Sequence, residues 1–111
     1  MYISLYVQTR QPDEARALLM EIISSTGRDV TTYTYEKNEH YWKNEGLMHI
    51  EVEFLLTPSL SKDERKCFLA KLSDKWIYLG NPVREDEVLA SLTAEGCNYI
   101  KTGIEMINII F

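Results

Sequence analysis

The sequence predicts an α+β domain with a ferredoxin-like βαββαβ core and an additional C-terminal helix and strand. Three observations predict it. Residues 2–9 alternate apolar and polar side chains, residues 12–23 repeat apolar side chains at helical spacing, and two β-branched, aromatic runs at 30–37 and 47–56 lie before a second helical pattern. With 111 residues, the chain makes one domain over residues 1–111, because domains usually run ~100–150 residues.

Each element has its own local reason. In the first strand Ile3, Leu5 and Val7 alternate with Tyr2, Ser4, Tyr6 and Gln8. Pro12 opens a helix at its first turn, and Asp13 and Glu14 complement the positive end of its dipole. Ala15, Leu18, Leu19, Ile22 and Ile23 form its apolar stripe, and Gly27 stops it. Residues 30–37 read as a strand from their composition. Residues 47–56 read as its partner, with Ile50, Val52, Phe54 and Leu56 on one face and His49, Glu51, Glu53 and Leu55 on the other. The polar stretch between them, roughly 38–46, predicts a hairpin loop.

Ser61 followed by Glu64 is a capping box, and Phe68, Leu69 and Leu72 give the helix after it a buried stripe, with Cys67 beside them as a small core hydrophobe. Trp76, Ile77, Tyr78 and Leu79 predict a short strand closed by Gly80-Asn81-Pro82. A third helix is expected over 84–95, from acids Glu85, Asp86 and Glu87, an apolar side of Val88, Leu89 and Leu92, and a stop at Gly96. The final run, Ile104 to Phe111, is apolar on nearly both faces and belongs inside a sheet.

Composition narrows the function classes. Seventeen acidic residues against twelve basic ones give a formal charge of −5, which disfavours direct phosphate neutralisation and hence nucleic-acid binding. No basic leader precedes an apolar segment, and the longest apolar runs fall far short of the ~20 residues that span a bilayer, so a cytoplasmic location without membrane association is expected. The two cysteines, Cys67 and Cys97, stand too far apart for a zinc or thioredoxin-like motif and read as inert reduced thiols.

Catalytic signals are sparse. There is no nucleophile elbow, no phosphate-cradling glycine loop and no His-Glu-x-x-His motif. His49, Glu51 and Glu53 form a His-x-Glu-x-Glu pattern on one strand face, but a complete metal site needs further ligands that no second motif supplies. No catalytic residue, metal or cofactor is assigned.

The surface signal is acidic and aromatic. Glu36, Glu39 and Glu45 surround the adjacent Tyr41 and Trp42, and Glu51 and Glu53 lie on the strand that follows. Trp and Tyr dominate binding hot spots, and fixed carboxylates speed encounter with cationic partners. Two alternatives remain beside that reading: the polar face is the ordinary wet side of an antiparallel sheet, and one loop ring folds back over the sheet edge.

A small acidic α+β domain without a catalytic motif resembles the immunity proteins of bacterial contact-dependent inhibition and other polymorphic toxin systems. The resemblance is one of size, charge and pattern over the whole chain. It implies a non-enzymatic protein, as a monomer or as a heterodimer with its toxin, that neutralises a cognate toxin domain such as a nuclease with a basic groove. Glu36, Glu39, Tyr41, Trp42, Glu45, Glu51 and Glu53 would carry the contact. Two rival readings are a dimeric ferredoxin-like enzyme of monooxygenase type, with a pocket containing His49, and a non-catalytic adaptor.

Overall fold

A computed structural model describes residues 1–80, 86–92 and 100–111. The elements run β1 (Tyr2–Val7), α1 (Pro12–Ser24), β2 (Asp29–His40), β3 (Met48–Thr57), α2 (Lys62–Leu72), β4 (Ile77–Tyr78), β5 (Glu87–Ser91) and β6 (Ile104–Ile110). Among the described residues the strands form one sheet in the order β2-β3-β1-β6-β5-β4, with every neighbouring pair antiparallel. The class is α+β, with two helices on one face of the sheet.

The core forms because one parity of each inner strand is apolar. Ile3, Leu5 and Val7 of β1, Ile50, Val52 and Phe54 of β3, and Ile107 and Ile109 of β6 are all buried. They meet Ala15, Leu19, Ile22 and Ile23 of α1 and Phe68, Leu69 and Leu72 of α2 in one continuous cluster. Burying a Leu or Phe side chain of this kind stabilises by about 1.5–3 kcal/mol. Gly27 has a φ of +69°, the left-handed conformation that lets the chain leave α1. At α2 both halves of the capping box are present: the Glu64 amide donates to Ser61 Oγ at 3.2 Å, and the Ser61 amide donates to Glu64 Oε1 at 3.0 Å.

Four expectations are corrected. Residues 87–91 are strand β5, not part of a helix over 84–95. Val88 and Ala90 alternate into the core beside Ile109 and Ile107 of β6, and this pairing outweighs the weak helical spacing. Glu85 and Gly96 lie outside the described residues, as do Asn81, Pro82 and Cys97. The ferredoxin-like βαββαβ core expected of the first six elements would set the strand after α2 beside β1. That place belongs to β6, and among the described residues β4 is the last strand on that side. Strand β2 continues to His40, shortening the connection to β3. Cys67 is exposed on α2 rather than part of its buried stripe.

Among the described residues no helix is long and apolar enough to cross a membrane.

Candidate functional site

The sheet face turned away from the helices is assembled by register. One row across it reads Glu39, His49, Tyr6 and Met106; the next reads Lys37, Glu51, Ser4, Asn108 and Leu89; a third contains Glu53, Tyr2, Ile110 and Glu87. Three of the carboxylates, Glu39, Glu51 and Glu53, therefore gather on β2 and β3. On the β6–β5 side Met106, Ile110 and Leu89 mix apolar side chains with Asn108 and Glu87.

His49 is the hub of the first two rows. Its Nε2 lies 2.9 Å from Ser4 Oγ and 2.9 Å from Glu51 Oε1. The Tyr6 ring stacks on the imidazole at 4.3 Å with the planes 6° apart. Tyr41 sets its edge against Tyr6 at 4.8 Å. Burial holds the His49 pKa below its ordinary value; Lys37 pushes the same way, and Glu51 and Glu39 oppose it. Burial also raises the Tyr6 phenol, with Tyr41 and Glu51 adding to the effect and Lys37 working against it.

Ser4, His49 and Glu51 supply the residue types of a catalytic triad, but their geometry differs from one. A triad holds its nucleophile and its acid on opposite ring nitrogens, so that the imidazole can pass a proton. Here both partners share Nε2. Among the described residues no group of three His, Cys, Asp or Glu side chains is placed to hold a metal ion.

The hairpin tip is built by short-range bonds. The Tyr41 amide donates to Leu47 O at 2.9 Å, the Asn44 amide to Tyr41 O at 3.2 Å, and the Gly46 amide to Asn44 Oδ1 at 2.9 Å. Within this turn the two adjacent rings part company. Tyr41 is half-buried on Tyr6, and Trp42 is 82% exposed. Lys43 Nζ stands 4.9 Å from the centre of the Trp42 ring, and the Tyr41 ring centre lies 6.2 Å from it. Arg10, His40 and Glu45 line an open cleft beside the tip.

The acidic residues singled out from sequence do not all share one surface. Glu39, Glu51 and Glu53 face away from the helices, and Glu45 sits on the turn. Glu36 has the opposite parity and is paired with Arg16 of α1. Glu39 is paired with Lys37 at 3.0 Å. Sequence reasoning missed Tyr6 as the platform under Tyr41. Period-two alternation already put Tyr6 and His49 on one face, but their direct opposition is a fact of register.

No protein-family model, curated protein or solved structure matches the chain.

Proposed function

We propose that this chain is an immunity protein that binds a cognate toxin domain and neutralises it by covering a basic groove. The observation that carries the reading is Trp42, a large ring 82% exposed at the end of a hydrogen-bonded hairpin. A ring held in water by a built turn has its ordering cost met in advance, which is what an interface anchor needs. Glu45 shares the turn with Trp42, and Glu39, Glu51 and Glu53 follow at increasing distance along β2 and β3 on the adjoining face, a row of carboxylates that complements the Lys and Arg of a phosphate-binding groove. Glu36, engaged by Arg16 on the helix side, supports α1 rather than this surface.

The fold reading that accompanies this function is a ferredoxin-like core. It takes β2, β3, β1 and β6 as the four core strands and treats β4–β5 as a hairpin inserted between α2 and the last strand. The strand order across the sheet supports it.

A growth-rescue experiment tests the function. The C-terminal domain encoded immediately upstream of this gene is induced in a naive host, with and without the chain. Arrest relieved by the wild-type chain and not by Trp42→Ala, with the variant still folded, is the expected result. A neighbour that is harmless, or that kills regardless, overturns the reading.

A further inference from the structure

Among the described residues strand β2 is an outer edge of the sheet, and its two halves treat that edge differently. Over its first half the register slips between Val30 and Thr32 and again between Tyr33 and Tyr35. At each slip a threonine hydroxyl replaces the ladder: Thr31 Oγ1 donates to Leu55 O at 3.4 Å and Thr34 Oγ1 to Glu53 O at 3.2 Å. Bulges of this kind twist an edge away from would-be partners. From 35 to 40 the pairing to β3 is regular, and no bulge guards it.

The direction of each backbone group follows from the hydrogen bonds. The Phe54 amide donates to Met1 O, so the even-numbered residues of β3 bond toward β1 and the odd-numbered ones toward β2. Lys37 and Glu39, opposite Glu51 and His49, therefore bond inward. The amides and carbonyls of Glu36, Asn38 and His40 point off the edge.

We propose that this segment pairs with the same segment of a second copy, antiparallel, with Asn38 opposite Asn38 across a two-fold axis. Parity allows several other two-fold registers, and charge separates them. Centring on Glu36 opposes two glutamates; centring on Lys37 opposes two lysines; centring on Glu39 again opposes two glutamates; centring on His40 opposes Lys37 to Lys43. Centring on Asn38 places Lys37 opposite Glu39 twice and Glu36 opposite His40 twice. Like charges directly opposite destabilise a strand pair and unlike charges stabilise it. A central Lys is a usual guard of an exposed edge, and this register neutralises it.

The ladder runs over 35–41 and leaves both Trp42 side chains beyond its ends, roughly 27 Å apart at about 3.4 Å per residue. The sheet continues through the axis, unlike the face-to-face dimer that a monooxygenase-type enzyme would form. The contact is at the small end of specific interfaces, so the dimer is expected to populate across ~10 µM to ~1 mM.

Sedimentation velocity over that range is the test, on the whole chain and without any toxin. The wild type is expected to move from monomer to dimer. Lys37→Glu and Glu39→Lys are each expected to weaken the dimer about tenfold, because symmetry counts each repulsion twice. The double variant K37E/E39K should restore wild-type association within about threefold, since the opposed charges are exchanged rather than matched. A wild-type chain that stays monomeric throughout overturns the proposal. So do single variants that dimerise like the wild type, or a double variant that fails to recover. Growth rescue by monomeric K37E would leave the toxin-neutralising reading standing on its own.

Discussion

Strand β3 presents two surfaces built on opposite rules. Met48, Ile50, Val52 and Phe54 are sealed under the helices, each no more than 1% exposed. His49, Glu51 and Glu53 alternate with them and carry titratable groups to the other face. The comparison teaches that apolar packing and polar chemistry are divided by strand parity, and the proposed recognition rests on that division. A substitution at an even position of β3 should act through folding. On the proposed reading, one at Glu51, Glu53 or Trp42 should instead act on binding.

The largest expected effect is on the sealed side. Phe54→Ala removes a ring packed in the shared core and is expected to cost about 3–5 kcal/mol, measured by urea denaturation. A loss below about 1 kcal/mol would break the division at its strongest point. Tyr41 sharpens the boundary from the other side, because it belongs to the turn and yet packs on Tyr6. Tyr41→Ala is expected to cost about 1–2 kcal/mol, from the lost ring contact and its buried area. Ser61→Ala, at the start of α2, should cost about 1 kcal/mol by leaving the Glu64 amide without its acceptor.

How much of this was legible in the sequence depended on the range of the interactions involved. The capping box at Ser61 and Glu64 needs only neighbours, and the structure contains both of its bonds. The alternation in β1 and β3 was readable because each strand has one sealed face. Residues 87–91 were not readable in the same way. Val88, Leu89 and Leu92 satisfy a helical spacing, but the five-residue run is short, and pairing with β6 decides its conformation. Sheet order was hidden for a related reason. Local pattern cannot choose whether β4 or β6 lies beside β1, although β6 is apolar on nearly both faces, which suits an interior strand. At the tip, two rings stand side by side in the chain, and no local pattern chooses between them. The register that brings Tyr6 opposite His49 makes the platform that takes Tyr41 and leaves Trp42 in water.

A titration probes the polar parity without removing any packing. Burial holds the His49 imidazole below its ordinary 6.5, so the folded chain resists the proton that the unfolded chain accepts. The contribution of neutral His49 is complete above about pH 6.5. It is lost as pH falls from there through the lowered folded value, below which both states carry the proton. Stability measured from pH 8 to pH 5 should therefore decline on acidification, and His49→Gln should flatten that part of the profile. A wild-type profile that rises toward acid would place His49 among groups that favour its charge.

The smallest expected change in stability is at Trp42, and there the comparison is decided. Its ring meets water over most of its surface, with Lys43 above it and Tyr41 at its flank as the ring contacts described. An exposed cation–π contact contributes about 0.5–1 kcal/mol at most, and surface substitutions usually stay within about 0.5 kcal/mol. Trp42→Ala should therefore leave the denaturation midpoint almost unmoved. If Trp42 anchors a partner, the same substitution should weaken the complex by about 2 kcal/mol or more, roughly thirtyfold in Kd. A loss of stability as large as that of Phe54→Ala would move Trp42 to the packed side. An unchanged complex would confine recognition to the carboxylates of the sheet face.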